Sequence, residues 1–407
     1  ESHHPRHFFD RGCVYGCEDD IERFLYFCRA AMEFLYKADL KADVIHLHDW
    51  QTAAISALYK EMYRPLGYQC SAIVFTIHNM EYQGKCAKND LIQIGLKGEV
   101  DAYLDKQNPE LVNLLKTGLY FSDGITTVSP SYSEELRTIE GGKGLDRCMV
   151  DCKNKVIGIL NGLDYVYWNP ETDALLPSPY SFRELPLNKN DRSTINQKAY
   201  VKKVLREKLM LDEGHRPLIG IVTRLVPQKG LELIKHAISR TVEKKGQLVL
   251  LGSSPIPSIH REFEELQRHF SAHPHIRLIL NHDEAMAHLI FGGSDFCLVP
   301  SLFEPCGLVQ MIALRYGSIP IVRLTGGLAD TVFDVDDPEF APHETNGYTF
   351  VEPTAQGVNS ALDRAIQCWF EKPEKWRELQ LRGMQMDYSW KYPAMYYIHL
   401  YQNLSQT

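Results

Sequence analysis

Short runs of consecutive apolar residues alternate along the chain with longer segments that are apolar on one side only. The runs are apolar throughout rather than at every second position, which is typical of parallel strands covered on both faces. The longer segments repeat apolar residues every three or four positions and therefore predict amphipathic helices, as in the series Leu231, Ile234, Ile238 and Val242. We predict strands over 44–48, 72–77, 124–128, 156–160, 218–223, 247–251, 276–280, 296–300 and 319–322.

This alternation of strand and helix predicts an α/β fold of the doubly wound kind. The chain has 407 residues, which at roughly 150 residues per domain predicts two or three domains. The pattern is interrupted over 162–217, a polar segment with several prolines. We predict Rossmann-like domains over 1–163 and 164–387, followed by an aromatic C-terminal helix over 388–407 that crosses back to the first domain.

Composition excludes several classes of protein. Hydrophobic residues make up 44% and charged residues 24% of the chain, which is ordinary for a globular protein and excludes disorder or collagen for the bulk of it. Since no run approaches the ~18 apolar residues of a membrane helix, we expect no membrane span. The net charge of 44 − 52 = −8 argues against a nucleic-acid partner.

The ten cysteines are scattered and match neither a zinc knuckle nor a disulfide framework. We therefore expect reduced thiols in a reducing compartment. The N-terminal residues carry no visible targeting signal.

Ligands of open parallel sheets bind beyond the carboxyl ends of the strands, and the first predicted strand ends in candidate polar groups. Because side chains alternate between the two faces of a strand, His46 and His48 lie on one face. They are either half of a metal site or histidines whose hydrogen bonds are made within the protein. The following residues add no third ligand, which favours the second interpretation. Asp49 has two interpretations of equal weight: an N-cap for a helix that begins at Thr52, or a carboxylate that faces ligand hydroxyls.

The next strands of the first half also end in polar residues. His78 and Asn79 leave a buried strand, where they either satisfy loop backbone groups or contact a ligand. Asn161 and Gly162 form a turn pair after the strand at 156–160, for which a structural role is slightly favoured.

In the second half, Arg224 and Lys229 straddle a proline-containing turn where a helix starts. Cations at a helix N-terminus are unfavourable unless an anion is present. This conflict predicts a bound phosphate held by the guanidinium, the ammonium and the helix amides.

Glu304, Cys306 and Gly307 form the densest cluster of candidate residues. A carboxylate followed by a glycine that opens a helix places bare amides beside an acid, which suits a ligand with several hydroxyls. No base adjoins Cys306 in sequence, so a catalytic thiolate is disfavoured. Gly326 and Gly327 are predicted to let the backbone approach a pyrophosphate, although no complete dinucleotide or ATPase motif is present.

Taken in order, these strings resemble the bacterial glycogen synthase and plant starch synthase family, which are glycosyltransferases with two Rossmann-like domains facing a cleft (GT-B). The Glu-Pro-Cys-Gly-Leu string at 304–308 and the Thr-Gly-Gly-Leu string at 325–328 are highly specific at this spacing. The matching segments run through almost the whole chain: 46–50, 76–79, 159–164, 168–170, 223–230, 300–308 and 325–330.

The resemblance implies transfer of glucose from ADP-glucose to the non-reducing end of an α-1,4-glucan with retention, without a cofactor or metal. Its implied catalytic residues are Glu304, Arg224, Lys229, His78 and Asp49. Asp49 would lie on the acceptor side, and His282 near the adenine. The implied donor-binding residues are Asn161, Cys306, Gly307, Leu308, Thr325, Gly326, Gly327 and His282.

Three departures from the family pattern narrow this expectation. The family's Lys-x-Gly-Gly-Leu loop is absent, so we expect that the first βαβ portion of the N-terminal domain precedes this chain. Ile312 stands where the wider superfamily often has a second glutamate, and His282 where relatives often have a tyrosine.

The alternative functions are those of a related UDP-sugar transferase or of a non-catalytic glucan-binding protein. The expected location is the cytoplasm of a bacterium or the plastid stroma of a plant or alga.

Overall fold

A computed structural model describes residues 7–97, 102–184 and 196–406. Contacts between residues divide the chain into two compact units. The first comprises Glu1–Leu160 with Pro393–Thr407, and the second comprises Asn161–Tyr392. The domain boundaries expected from the sequence stay predictions, and the part of the connecting segment at 185–195 lies outside the described residues.

The first unit is built on a parallel sheet of four strands in the order β1-β2-β5-β6, with a small antiparallel pair, β3 and β4, beside it. Its strands are β1 Val44–His48, β2 Ala72–Ile77, β3 Lys85–Ala87, β4 Leu111–Asn113, β5 Gly124–Thr127 and β6 Val156–Gly158. Its helices are α1 Asp20–Lys37, α2 Asp49–Leu58, α3 Lys88–Gln93, α4 Leu114–Phe121, α5 Pro130–Glu135, α6 Ile139–Gly142 and α7 Asp146–Asp151.

The second unit contains a parallel sheet of six strands. Its strands are β7 Leu218–Val222, β8 Gln247–Leu251, β9 Ile276–Ile279, β10 Phe296–Val299, β11 Ile319–Arg323 and β12 Tyr348–Phe350. Its helices are α8 Asn196–Lys208, α9 Leu231–Glu243, α10 Pro257–His269, α11 Glu284–Gly293, α12 Val309–Arg315, α13 Gly326–Ala329, α14 Ala355–Glu371 and α15 Pro373–Gln385. A last helix, α16 Lys391–Ser405, begins in this unit and continues in the first.

The structure confirms the α/β fold class and the nine predicted strands, three with the predicted bounds and six with a carboxyl end shifted by one or two residues. The fully apolar runs are parallel strands, as in β2, whose six residues are all buried. Three strands were missed, namely β3, β4 and β12, because each is only three residues long and carries no periodic pattern.

The strand order of the second unit determines where a ligand can bind. The sheet runs β12-β11-β10-β7-β8-β9, so the chain builds outward from β7 in one direction and then from β10 in the other. Connections after β7 and β10 therefore diverge to opposite sides of the sheet, which leaves a crevice at the carboxyl ends of these two neighbouring strands.

Apolar packing against one face of this sheet fixes the strands. The stripe predicted on α9 is observed, with Ile234 and Ile238 fully buried and Leu231 and Val242 partly buried against the same core. In the described part of the chain, no helix is long and apolar enough to cross a membrane.

Candidate active site

An ion pair lies at the crevice between β7 and β10. Lys229, in a short 3₁₀ turn after β7, donates from Nζ to Glu304 Oε2 at 2.5 Å. Both side chains are mostly buried, with 15% and 11% of their areas exposed. Ser301 donates its hydroxyl to the same carboxylate oxygen at 2.8 Å. The two predicted residues are thus brought together across 75 positions of sequence.

Backbone hydrogen bonds hold the loops that carry this pair. The amide of Leu302 donates to the carbonyl of Gln228 at 2.8 Å, and Gln228 Nε2 donates to the carbonyl of Phe303 at 3.1 Å. The loop after β7 is therefore fastened to the loop after β10 independently of the ion pair.

A small cavity of about 110 Å³ lies beside the pair. Lys229, Glu304, Gly307 and Leu308 all line it, as does Thr223 at the end of β7. Four of the predicted site residues therefore share one cavity wall.

Gly307 requires its glycine because of its backbone and its neighbour. Its φ is +70°, and an added Cβ would collide with the side-chain oxygen of Gln310. Gln310 in turn donates from Nε2 to the carbonyls of Cys306 at 3.1 Å and Gly307 at 2.7 Å. Sequence reasoning missed Gln310 and Ser301, although Ser301 belongs to the 300–308 string that carried the resemblance.

Cys306 is buried behind this loop. Burial raises the pKa of its thiol to about 12, although a hydrogen bond from the backbone N–H of Asn161 opposes part of that effect. The sulfur is therefore a neutral thiol at neutral pH, which agrees with the expectation that Cys306 is not a catalytic thiolate. The same bond places Asn161 next to the 304–308 loop.

Gly326 and Gly327 pack directly on that loop. An added Cβ would collide with the carbonyl oxygen of Glu304 at Gly326 and with that of Cys306 at Gly327. The amide of Gly327 donates to the Glu304 carbonyl at 3.0 Å, and the preceding Thr325 is buried. The glycines are thus explained by contact between two loops; their approach to a pyrophosphate stays a prediction.

Arg224 and His282 are exposed and line a second cavity, of about 550 Å³, which shares Val222 and Thr223 with the first. Its walls include Tyr167 and Trp168, which sequence reasoning did not assign to the site.

The Trp168 ring is held from behind. It stacks on the buried His288 ring with centroids 4.2 Å apart and planes at 15°. His288 Nδ1 is hydrogen-bonded to Asp173 at 2.7 Å. The Trp-Asn-Pro string at 168–170, which belongs to the family resemblance, could have assigned Trp168 to the lining of this cavity.

In the first unit, Asp49 connects the ends of β1 and β2. Its carboxylate accepts the backbone N–H of His78 at 2.7 Å, and the residue has a left-handed φ of +54°. Helix α2 begins at Asp49 itself, so the interpretation of Asp49 as an N-cap for a helix from Thr52 is wrong. Burial raises the pKa of Asp49 to about 6.

The imidazoles of His46, His48 and His78 form a cluster at the ends of β1 and β2. His46 is hydrogen-bonded to the hydroxyls of Tyr401 at 2.7 Å and Thr76 at 2.6 Å, and burial lowers its pKa to about 4. His48 Nδ1 lies 3.0 Å from His78 Nε2, and burial lowers the pKa of both. Within the described residues no group of three potential ligands is arranged to hold a metal.

Comparison with known proteins places this geometry in a family. Residues 2–151 match the model of the starch synthase catalytic domain, and residues 202–380 match that of glycosyl transferases group 1. The glycogen synthase of Protochlamydia amoebophila is 60% identical over 409 residues, which cover 100% of this chain and 82% of that protein. The chain belongs to the glycogen and starch synthase family. It is accordingly a glucosyltransferase.

Two further comparisons, one of sequence and one of structure, agree with this family. Probable starch synthase 4 of Arabidopsis thaliana is 47% identical over 98% of this chain and 38% of its own length. The structure of the catalytic domain of starch synthase IV from Arabidopsis thaliana, bound to ADP and acarbose, has a TM-score of 0.94 and 46% identity; the match covers 100% of this chain and 81% of that one. This likeness confirms the GT-B fold.

Proposed function

We propose that this protein transfers glucose from ADP-glucose to the non-reducing end of an α-1,4-glucan with retention of configuration. The observation that carries the proposal is the Lys229–Glu304 pair at the crevice between β7 and β10, beside the cavity that Arg224 lines. The ADP and acarbose named for starch synthase IV from Arabidopsis thaliana agree with a nucleotide and a glucan-like ligand.

Arg224 and Lys229 are the groups that we assign to the donor phosphates. Breaking the anomeric C–O bond leaves negative charge on ADP, and cations already fixed at that position stabilise the charge as it develops. Lys229 is oriented before the donor arrives, because its ammonium donates a hydrogen bond to the Glu304 carboxylate. The hydroxyl of Ser301 holds that carboxylate in place. This assignment requires no divalent metal.

Glu304 and the amides of the 306–308 loop are assigned to the glucose hydroxyls. A mostly buried carboxylate accepts hydrogen bonds from hydroxyl groups, while backbone N–H groups donate to hydroxyl oxygens. The sugar gains oxocarbenium character as its bond to the phosphate breaks, so groups that fix its ring also fix the reacting carbon.

His78 and Asp49 are assigned to glucose and to the acceptor side, respectively. Asp49 binds the His78 amide through its carboxylate, so these two residues keep a constant spacing within the first unit. Although burial raises the pKa of Asp49 to about 6, its carboxylate is still mostly ionised at neutral pH and can accept a hydrogen bond from an acceptor hydroxyl.

The experiment is glucose incorporation into glycogen from labelled ADP-glucose or UDP-glucose. We expect ADP-glucose to be preferred, and Lys229→Met to lower kcat by at least about 100-fold, the effect of one lost charge-stabilising donor. Lys235→Met is the matched control, because it removes a partly exposed lysine of α9 that is likewise paired with glutamate. Preference for UDP-glucose would refute the donor, and glycogen binding without any transfer would refute the catalytic assignment.

A further inference from the structure

A separate cavity of about 220 Å³ lies elsewhere in the second unit. Gly293 and Asp295, which line it, directly precede β10. Since the ion pair of Lys229 and Glu304 follows the carboxyl ends of β7 and β10, this cavity adjoins the opposite edge of the same sheet. It is therefore distinct from the candidate active site.

Helix α8 presents a row of buried cations beside this cavity. Lys198, Lys202 and Arg206 are spaced four residues apart and so share one helix face. Lys198 and Arg206 are 7% and 9% exposed, and the Lys202 side chain is 14% exposed. Asp295 interacts electrostatically with all three cations, and Glu213 acts in addition on Arg206.

The hydrogen bonds of these cations leave their charge uncompensated. Lys198 Nζ donates to the carbonyls of Gly292 and Tyr316, each at 2.8 Å. Lys202 Nζ donates to Asp295 at 2.5 Å and to the carbonyl of Arg216 at 2.9 Å. Carbonyl oxygens satisfy N–H groups but carry no net charge. The charged side chains that line the cavity are Lys198, Lys202, Arg377 and Asp295, so three cations and one carboxylate leave 3 − 1 = 2 positive charges.

Such an excess is unusual, because burial of an unpaired charge is costly. Desolvation accordingly lowers the pKa of Lys198 to about 7. An anion in the cavity would remove this penalty. A phosphomonoester, which carries about −1.5 to −2 charges at neutral pH, matches the excess better than a carboxylate does.

The walls of the cavity indicate what else the anion carries. Trp369 and Trp376 form an aromatic surface, with the Lys202 ammonium 5.2 Å from the Trp369 ring centre. The indole N–H of Trp376 is buried and has no acceptor among the described residues. Arg377 adds a half-buried guanidinium to the lining. Aromatic faces suit a ring, and the free N–H suits an oxygen on that ring.

We propose that this cavity binds a compact phosphomonoester of a ring compound, with the phosphate at Lys202 and Arg377 and the ring against Trp369 and Trp376. Two sources share that chemistry, a sugar phosphate and a nucleoside monophosphate. The site goes beyond the proposed glucosyl transfer, since none of its residues belongs to the transfer site.

The test is isothermal titration of the protein, without donor or glucan, with glucose 1-phosphate, adenosine monophosphate and inorganic phosphate. We expect one of the two ring compounds to bind more tightly than inorganic phosphate. Lys202→Met and Arg377→Gln should each weaken that binding about tenfold or more, which is ~1.4 kcal/mol. The matched control is Lys203→Met, which changes the neighbouring, 56% exposed lysine of α8 and should leave binding unchanged.

A further variant separates this cavity from the donor site. Binding that survives Arg224→Met, an exposed residue of the donor site, supports the proposal, whereas binding lost in that variant overturns it. No binding of either ring compound, or equal affinity for inorganic phosphate, also overturns it. If Lys202→Met does not fold, as judged by circular dichroism, Arg377→Gln and Trp376→Leu decide the question. The titration measures binding and not glucosyl transfer. Its outcome can therefore be interpreted even if the proposed reaction is not observed.

Discussion

At the scale of single residues, Lys229 and Glu304 each depend on the other for compensation of a buried charge. Each charge is mostly buried, so loss of either partner leaves the other uncompensated. The same constraint that orients the ammonium for catalysis therefore contributes to the stability of the second unit, and this contribution can be measured without any substrate.

We predict that Lys229→Met and Glu304→Gln each lower the free energy of unfolding by up to about 3–5 kcal/mol. The double variant should lose less than the sum of the two single losses. Urea denaturation of the four proteins measures this coupling. The matched control cycle is Lys235→Met with Glu262→Gln, a more exposed pair, for which about 0–1 kcal/mol is expected. Additive losses in the buried pair would contradict its assignment as a coupled unit.

The pKa of His46 gives a second residue-level prediction. Burial lowers that pKa from 6.5 to about 4, so the unfolded state binds the proton more tightly. The resulting stability is present above about pH 6.5 and is lost as pH falls toward about 4. Asp49, whose pKa is raised to about 6, acts in the opposite direction, because its contribution is lost as pH rises through that value.

His46→Gln should therefore flatten the acid limb of the unfolding free energy against pH while Asp49 is unchanged. Denaturation between about pH 7 and about pH 4.5 measures the difference from the native protein. The exposed His343→Gln is the control. An acid limb as steep in His46→Gln as in the native protein would show that His46 does not resist protonation.

At the scale of elements, the site depends on two loops that touch through glycine. Gly327→Ala would drive a methyl group into the carbonyl of Cys306. We expect a loss of about 1–3 kcal/mol in stability from this overpacking, together with a lower kcat, because the displaced loop also carries Glu304. Thermal unfolding and the glycogen assay measure the two effects.

Gly214→Ala is the matched control for Gly327→Ala, since nothing lies within 4 Å of the added carbon. It should leave both stability and turnover close to the native values. Equal behaviour of the two variants would mean that the contact between the loops is dispensable.

The same loops show what the sequence can and cannot predict. Apolar runs of four to six residues predicted the main strands because burial on both faces leaves a local pattern. The strands β3, β4 and β12 leave none. One of the two interpretations of Asp49, the N-cap, is wrong because helix α2 begins at Asp49 itself, and the carboxylate instead accepts a hydrogen bond from a residue 29 positions away. The predicted residues Lys229 and Glu304 were identified separately, but their contact follows from strand order, which no local pattern encodes.

At the scale of the whole molecule, one sheet supplies two opposite edges with different chemistry. The carboxyl ends of β7 and β10 carry Lys229 and Glu304, whereas Asp295 precedes β10 at the amino edge, beside the buried cations of α8. Because the strands between these edges are buried in the core, ligands at the two edges would contact opposite ends of one sheet.

Binding of the nucleotide should appear in the stability of the entire protein. A ligand that binds only the folded state raises its free energy of unfolding by ~2.7 kcal/mol at about 100 times its Kd. We therefore expect ADP to raise the unfolding temperature more than UDP at equal concentration. Arg224→Met should abolish most of this shift, whereas Arg261→Met, on the exposed surface of α10, should not. A larger shift with UDP would reassign the base, and an unchanged shift in Arg224→Met would remove that guanidinium from the phosphate site.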